Sequence, residues 1–143
     1  MIWYVLDASV GAKWISPGGT EPLAAQAEAL LRRYIRGQIQ LVVPDLFWSE
    51  IASFLWKAVR YNKISVGTAE DGLREMISHN LPTVSSRKVL ADALQIAVRF
   101  DRTPYDSIYV ALAEAFQTNL ITADERLANA LAAHLPVKWL GSL

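Results

Sequence analysis

The sequence contains no cysteine and only two histidines, His79 and His134. Disulfides and thiolate metal sites both need cysteine, so neither can form within this chain. Two histidines leave little room for a histidine-rich zinc site. A chain without cysteine also suits a reducing compartment.

Long hydrophobic runs are missing as well, although 52% of the residues are hydrophobic and only 20% are charged. No uninterrupted apolar stretch approaches the ~18 residues of a membrane span. The first residues lack the basic segment, apolar segment and cleavage site of a secretory signal. We therefore expect a soluble, cytoplasmic protein without a membrane segment. The 143 residues are enough for one domain, 1–143, with a sizeable core.

The chain has no surplus of either charge, with 14 lysines and arginines against 14 acidic residues. Proteins that bind nucleic acids generically usually carry a basic excess, so the composition gives no support for that class. A local basic patch can still coexist with an acidic site. The sequence also lacks a Walker A glycine loop and a dinucleotide-binding fingerprint, which argues against those nucleotide-binding folds.

Short apolar runs alternate with amphipathic stretches along the whole chain. Strands are predicted at residues 2–6, 40–43, around 81–84, 119–122 and 137–140. Helices are predicted at residues 21–36, 45–61, 68–78, 86–100, 104–116 and 125–133, and residues 16–19 are predicted to form a loop. This alternation favours an α/β fold with a parallel sheet covered by helices on both faces. Ligands of such sheets bind at the carboxyl ends of the strands.

Two aspartates fall at such strand ends. Asp7 directly follows the strand predicted at 2–6, and Asp124 lies two residues past the strand at 119–122. Each also has a purely structural interpretation. Asp7 could form an Asx turn, and Asp124 could favour the start of a helix capped by Thr122 and Glu125.

Two further acids lie near predicted helix starts. Asp106 falls in the first turn of a helix that Thr103 can cap and that is otherwise almost wholly apolar. A carboxylate leading a buried helix would need a cation, because an unpaired buried charge is costly. Glu50 lies among aromatic residues in the helix predicted at 45–61, although an isolated helical glutamate is usually solvated.

The four acids are more informative together than singly. Carboxylates gathered at one edge of a sheet repel one another and raise their own pKa values. Such a cluster is stable when some members hold protons or when a cation lies among them. Oxygen-only ligands favour Mg²⁺ or Mn²⁺ over zinc. One or two such ions can generate hydroxide from water and stabilise displacement at phosphorus.

Four segments of the sequence resemble the PIN-domain family, and within it the VapC-type toxins of bacterial and archaeal toxin–antitoxin pairs. They are Asp-Ala-Ser at 7–9, Glu50 in its aromatic helix, Tyr-Asp-Ser-Ile-Tyr-Val-Ala-Leu-Ala-Glu at 105–114, and Leu-Ile-Thr-Ala-Asp-Glu-Arg-Leu at 120–127. The resemblance covers nearly the whole chain, in order and at family-like spacing.

This resemblance implies a three-layer α/β/α domain with a short, mostly parallel central sheet. It implies a Mg²⁺- or Mn²⁺-dependent endoribonuclease in which Asp7, Asp106 and Asp124 hold the metal and Glu50 completes the catalytic set. Ser9 and Thr122 match small hydroxyl positions beside the metal. It further implies a homodimer and a cognate VapB-type antitoxin that inserts a segment into the active-site groove.

Local cations are candidates for holding an RNA substrate. They lie in two helical clusters, namely Arg32, Arg33 and Arg36 in one and Lys57, Arg60 and Lys63 in the other. The alternative for both clusters is an ordinary solvated helix face. Arg102 and Arg126 flank acids and are candidate ion-pair partners instead.

Other functions remain open at this point. A phosphatase could use Asp7 as a nucleophile, although such enzymes typically want a second aspartate where Ser9 stands. A receiver domain would need a late lysine after a strand, whereas Lys138 lies inside the last predicted strand. A PIN nuclease of RNA processing outside a toxin pair, or a catalytically inactive PIN-like binding module, are the alternatives within the family.

Overall fold

The computed structural model describes residues 1–16 and 21–143. All but the first residue of the loop predicted at 16–19 therefore lies outside the described residues. Five strands are present in the described ranges: β1 (Ile2–Leu6), β2 (Ile39–Pro44), β3 (Thr83–Val84), β4 (Asn119–Thr122) and β5 (Val137–Trp139). The α-helices there are α1 (Ala8–Trp14), α2 (Ala24–Ile35), α3 (Leu46–Arg60), α4 (Val66–Ser78), α5 (Leu90–Phe100), α6 (Pro104–Ala115) and α7 (Glu125–Leu131). Two 3₁₀ turns, Ser86–Val89 and Leu140–Ser142, complete these elements.

The strands form one sheet in the order β3-β2-β1-β4-β5, and every pairing among them is parallel. In the centre, Val5 of β1 lies between Val42 of β2 and Leu120 of β4. All five carboxyl ends therefore meet at a single edge, which we call the carboxyl edge. The prediction of a short, mostly parallel sheet is confirmed.

The core lies on both faces of this sheet. Val5, Leu6, Leu41 and Ile121 are completely buried on the three central strands, as expected for strands covered by helices on each side. Helix α6 is buried along its whole middle, which its nearly continuous apolar sequence predicts. The result is the three-layer α/β/α arrangement implied by the resemblance.

Helix α1 was not predicted from the sequence. It is only 7 residues long and contains a glycine, Gly11, which makes it too short for a clear apolar period. The glycine is required by packing: a Cβ at this position would lie 2.9 Å from the Cζ atom of Phe47. Since Phe47 is fully buried, α1 reaches α3 only because Gly11 has no side chain.

The helix predicted at 86–100 is divided into a 3₁₀ turn and α5. Asp45, predicted as the first residue of the helix at 45–61, accepts hydrogen bonds from the backbone N–H of Ser86 (3.1 Å) and from its hydroxyl. This contact holds the turn that follows β3. Within the described residues, no helix is both long and apolar enough to span a bilayer.

Candidate active site

Asp7 lies where β1 ends and α1 begins. Its backbone N–H donates to the carbonyl oxygen of Ile121 (3.0 Å), which continues the pairing of β1 with β4 by one residue. Although Asp7 occupies the N-cap position of α1, its carboxylate makes no capping hydrogen bond. The carboxylate is therefore available for another task at the carboxyl edge.

Two hydroxyl groups hold this carboxylate. Ser9 Oγ and Thr122 Oγ1 both donate to Asp7 Oδ2, each at 2.7 Å. Ser9 Oγ in turn accepts from the backbone N–H of Ala123 (3.0 Å), and Thr122 Oγ1 accepts from that of Asp124 (3.0 Å). The hydroxyls that the resemblance singled out thus connect the end of β1 to the end of β4 and fix Asp7 between them.

Asp106 reaches the same edge from α6, which runs back across the sheet to the start of β4. Its backbone N–H donates to Thr103 Oγ1 (3.1 Å), and Pro104 occupies the first helical turn, as predicted. Because Thr103 caps the helix, the half-buried carboxylate of Asp106 is not used for capping.

Asp124 has a structural role of its own. Its Oδ1 accepts the backbone N–H of Leu127 (3.2 Å), so Asp124 caps α7. The predicted capping box with Thr122 as the cap is wrong, because Thr122 still belongs to β4 and its hydroxyl donates to Asp7. Capping occupies Oδ1 and leaves Oδ2 for a second partner.

Glu50 lies in the second turn of α3, and its partner was missed from the sequence. The hydroxyl of Tyr109 on α6 donates to Glu50 Oε1 at 2.6 Å. Tyr109 is only 2% exposed and looks from the sequence like an ordinary core residue. The sequence does contain one indication that Tyr109 faces the acids. Tyr109 follows Asp106 by three residues, and residues three apart on a helix share a face.

Neighbouring carboxylate charges contribute to raised pKa values of Asp7, Glu50 and Asp106. Burial raises the pKa of Asp7, and the charge of Asp106 adds to the effect, while the two hydroxyls oppose it. Burial also raises the pKa of Glu50, with smaller contributions from Asp7 and Asp106. The pKa of Asp106 is raised by burial, partly offset by Arg102 and reinforced by Asp124. Each of these shifts disfavours the charged form, and the positive charge of Arg102 compensates only part of the shift of Asp106.

The donor set fits a hard divalent cation in its chemistry. It consists of carboxylate and hydroxyl oxygens, and a cation among them would relieve the repulsion that raises their pKa values. Within the described residues, no three acidic or histidine side chains lie close enough, as placed, to enclose an ion.

The sequence model of the PIN domain matches residues 4–131 of this chain. The chain belongs to the PIN-domain family. Ribonuclease VapC3 of Pyrobaculum aerophilum is 34% identical over 131 residues, which cover 90% of this chain and 95% of that protein.

Solved structures share the fold of this PIN domain. The crystal structure of PAE2754 from Pyrobaculum aerophilum superposes with a TM-score of 0.73 at 20% identity, covering 99% of this chain and 91% of that one. VapBC2 from Rickettsia felis, crystallised with a DNA fragment from its promoter, gives a TM-score of 0.68 at 11% identity, covering 96% and 98%.

The predicted RNA-contacting cations lie in two different segments of this PIN domain. Arg36 follows α2 and precedes β2, so it lies at the amino ends of the strands, opposite the acids. Lys57 and Arg60 lie in the last turn of α3. The Arg60 guanidinium stacks over the Trp56 ring, 5.3 Å from its centroid. Lys57 lines a cavity of about 400 Å³ together with Phe54, Tyr61 and Lys63.

Within residues 1–16 and 21–143, the predicted ion pairs of Arg102 and Arg126 are not formed. Arg102 donates from Nη2 to the backbone carbonyl of Arg126 (3.2 Å). Among the described residues, neither arginine takes part in a salt bridge. Arg102 nevertheless acts on the site at longer range, because its charge partly offsets the rise in the pKa of Asp106.

Proposed function

We propose that this PIN domain is a divalent-metal-dependent endoribonuclease and the toxin of a VapBC-type toxin–antitoxin pair. The observation that carries the proposal is the carboxylate of Asp7, fixed by two hydroxyls at the carboxyl edge and coupled to the charges of Glu50 and Asp106. Support for the reaction class comes from the relative named ribonuclease VapC3, which this chain matches over 90% of its length.

In this proposal Asp7 and Asp106 hold a Mg²⁺ or Mn²⁺ ion, and Asp124 assists through the oxygen that α7 does not use. When bound, the ion polarises the scissile phosphate and lowers the pKa of an attacking water. Ser9 and Thr122 keep Asp7 in one orientation, which reduces the reorganisation needed when substrate binds. Glu50 orients the attacking water.

The substrate in this proposal is RNA, and Lys57 and Arg60 are candidates for contacting its phosphates. Arg36 is a weaker candidate because it lies at the opposite edge of the sheet. The whole chain, residues 1–143, acts as one cytoplasmic domain that forms a homodimer and is inhibited by a VapB-type antitoxin. The similarity in fold to the Rickettsia felis VapBC2 complex supports the pairing with an antitoxin.

The test is cleavage of total cellular RNA by the purified protein in Mg²⁺ or Mn²⁺, with EDTA added to a parallel sample. Discrete fragments that disappear with EDTA and with Asp106→Asn are expected. Asp101→Asn is the matched control, because Asp101 is exposed and its left-handed backbone (φ 53°) accepts asparagine. Wild-type protein freed of copurified antitoxin that leaves the RNA intact would overturn the proposal.

A further inference from the structure

The proposed mechanism does not use the short hydrogen bond between Tyr109 and Glu50 in the acid cluster. This hydrogen bond joins α6 to α3 across 59 positions of sequence, with the phenol oxygen 2.6 Å from Glu50 Oε1. Tyr109 lies one helical turn after Asp106, so α6 presents a carboxylate and a phenol on the same face.

The contact is the principal restraint on the Glu50 carboxylate. Within the described part of the chain, no other hydrogen bond and no salt bridge is made to that carboxylate. A glutamate side chain has several rotatable bonds and loses considerable freedom when it is fixed. Without the phenol, Glu50 would be free to turn away from the other acids.

The surroundings of Tyr109 keep it a hydrogen-bond donor. Burial raises the pKa of its hydroxyl well above the ordinary range, and the charges of Asp7 and Glu50 add to this effect. Loss of the phenol proton is therefore disfavoured in this environment. Toward Glu50 the phenol acts as a neutral donor, which favours the charged form of that carboxylate.

We propose that Tyr109 is a positioning residue for Glu50. Its hydroxyl fixes Oε1 of the carboxylate, so that Oε2 remains available to orient the reacting water. This inference rests on the proposed nuclease function. It adds a residue that touches neither the metal nor the substrate and acts through Glu50 alone.

The decisive variant is Tyr109→Phe, which removes one oxygen and keeps the buried ring. We expect kcat for RNA cleavage to fall about 10- to 100-fold while KM changes little, because substrate binding is untouched. In a Glu50→Ala background the same substitution should cause no further loss, since the group that it positions is gone. Equal losses in both backgrounds would show that Tyr109 acts independently of Glu50 and would overturn the inference.

Tyr34→Phe is the matched control. It also removes a hydrogen-bonding hydroxyl, which donates to the backbone carbonyls of His79 (2.9 Å) and Asn80 (3.3 Å), but it does so on α2. Tyr34→Phe should leave kcat unchanged. A comparable fall in kcat for both variants would mean that any lost tyrosine hydrogen bond harms the enzyme and would also overturn the inference.

Two readouts do not depend on turnover. In metal-free protein, ¹³C NMR of the Glu50 carboxyl should show a higher pKa in Tyr109→Phe than in wild type, because a donor to the charged form has been removed. In wild type the Tyr109 hydroxyl proton should exchange slowly with water, and Glu50→Ala should abolish this protection. An unprotected proton in wild type would refute the contact even if Tyr109→Phe failed to fold.

The two proposals fail in different ways. Wild-type protein that cleaves RNA alongside an equally active Tyr109→Phe variant would remove the positioning role and leave the nuclease. Wild-type protein that does not cleave RNA would remove both.

Discussion

The hydroxyl oxygens of Ser9 and Thr122 lie 3.4 Å apart, although 113 positions of sequence separate the two residues. Both donate to the same oxygen of Asp7. The parallel pairing of β1 with β4 brings them together, because both strands end at the same level of the sheet. The orientation of Asp7 is therefore set jointly by its own segment, through Ser9, and by the sheet register, through Thr122.

Thr122→Val should impair the site without unfolding the domain. Valine fills the same buried space but leaves Asp7 Oδ2 with one donor and the N–H of Asp124 without its acceptor. We expect the free energy of unfolding to drop by about 1–3 kcal/mol, and RNA cleavage to fall at least about tenfold. Chemical denaturation and initial cleavage rates measure the two effects.

The control for Thr122→Val is Thr118→Val. Thr118 donates from its hydroxyl to the carbonyl oxygen of Trp3 near the opposite edge of the sheet. This variant should lose stability and retain cleavage. If it loses as much activity as Thr122→Val, the hydroxyl at 122 has no special role in the site.

The acid cluster should make metal-free protein less stable as pH rises. The folded-state pKa of Asp7 is raised, so the folded chain binds more protons than the unfolded chain between the two pKa values. The stabilising contribution is full below the unfolded pKa of about 4 and is lost as pH rises through the folded pKa. Glu50 and Asp106 have the same sign.

Asp7→Asn removes one of these contributions. In EDTA at neutral pH the variant should be at least as stable as wild type, while below about pH 4 the two should converge. Denaturant titrations across pH measure the difference. Excess Mn²⁺ should stabilise wild type more than Asp7→Asn, and equal stabilisation of both would argue against Asp7 as a metal ligand.

Two substitutions should distinguish the capping role of Asp124 from the role of its negative charge. Asp124→Asn keeps a side-chain oxygen for the N–H of Leu127, so stability should change little while cleavage falls. Asp124→Ala removes the cap and should lower the free energy of unfolding by a further ~1 kcal/mol. Identical melting temperatures for the two variants would show that the cap contributes nothing.

Gly11→Ala should destabilise the domain although alanine favours helices. The added Cβ would lie 2.9 Å from Phe47 Cζ, and overpacking of this kind costs about 1–3 kcal/mol. Gly67→Ala is the comparison, because its Cβ would meet only Ser65 Oγ at 3.9 Å. That variant should gain up to ~1 kcal/mol from helix propensity alone. Thermal melts of both proteins decide the point.

The sequence alone predicted the layered architecture because its strands and most of its helices carry strong apolar patterns. Helix α1 was missed because its seven residues are too few to show a period, and what permits it is a contact between Gly11 and Phe47 that no local pattern contains. The division of residues 86–100 was missed for a similar reason, since it follows from a hydrogen bond to Asp45.

The four acids could be found because strand ends and helix starts are visible in sequence. Tyr109 was overlooked because a tyrosine inside an apolar helix looks like core, and its partner Glu50 lies 59 residues away. The position of Arg36 at the amino ends of the strands depends on the direction in which α2 crosses the sheet, which the local sequence does not specify.

The strand order has a consequence for the newly made chain. β1 and Asp7 are synthesised first, but the neighbour of β1 on one side is β4, which follows more than a hundred residues later. A ribosome-bound chain that stops before residue 122 has neither the second hydroxyl on Asp7 nor the last acid of the cluster. The cluster of acids is thus completed late in synthesis, because β4 must be made before β1 gains its second neighbour in the sheet.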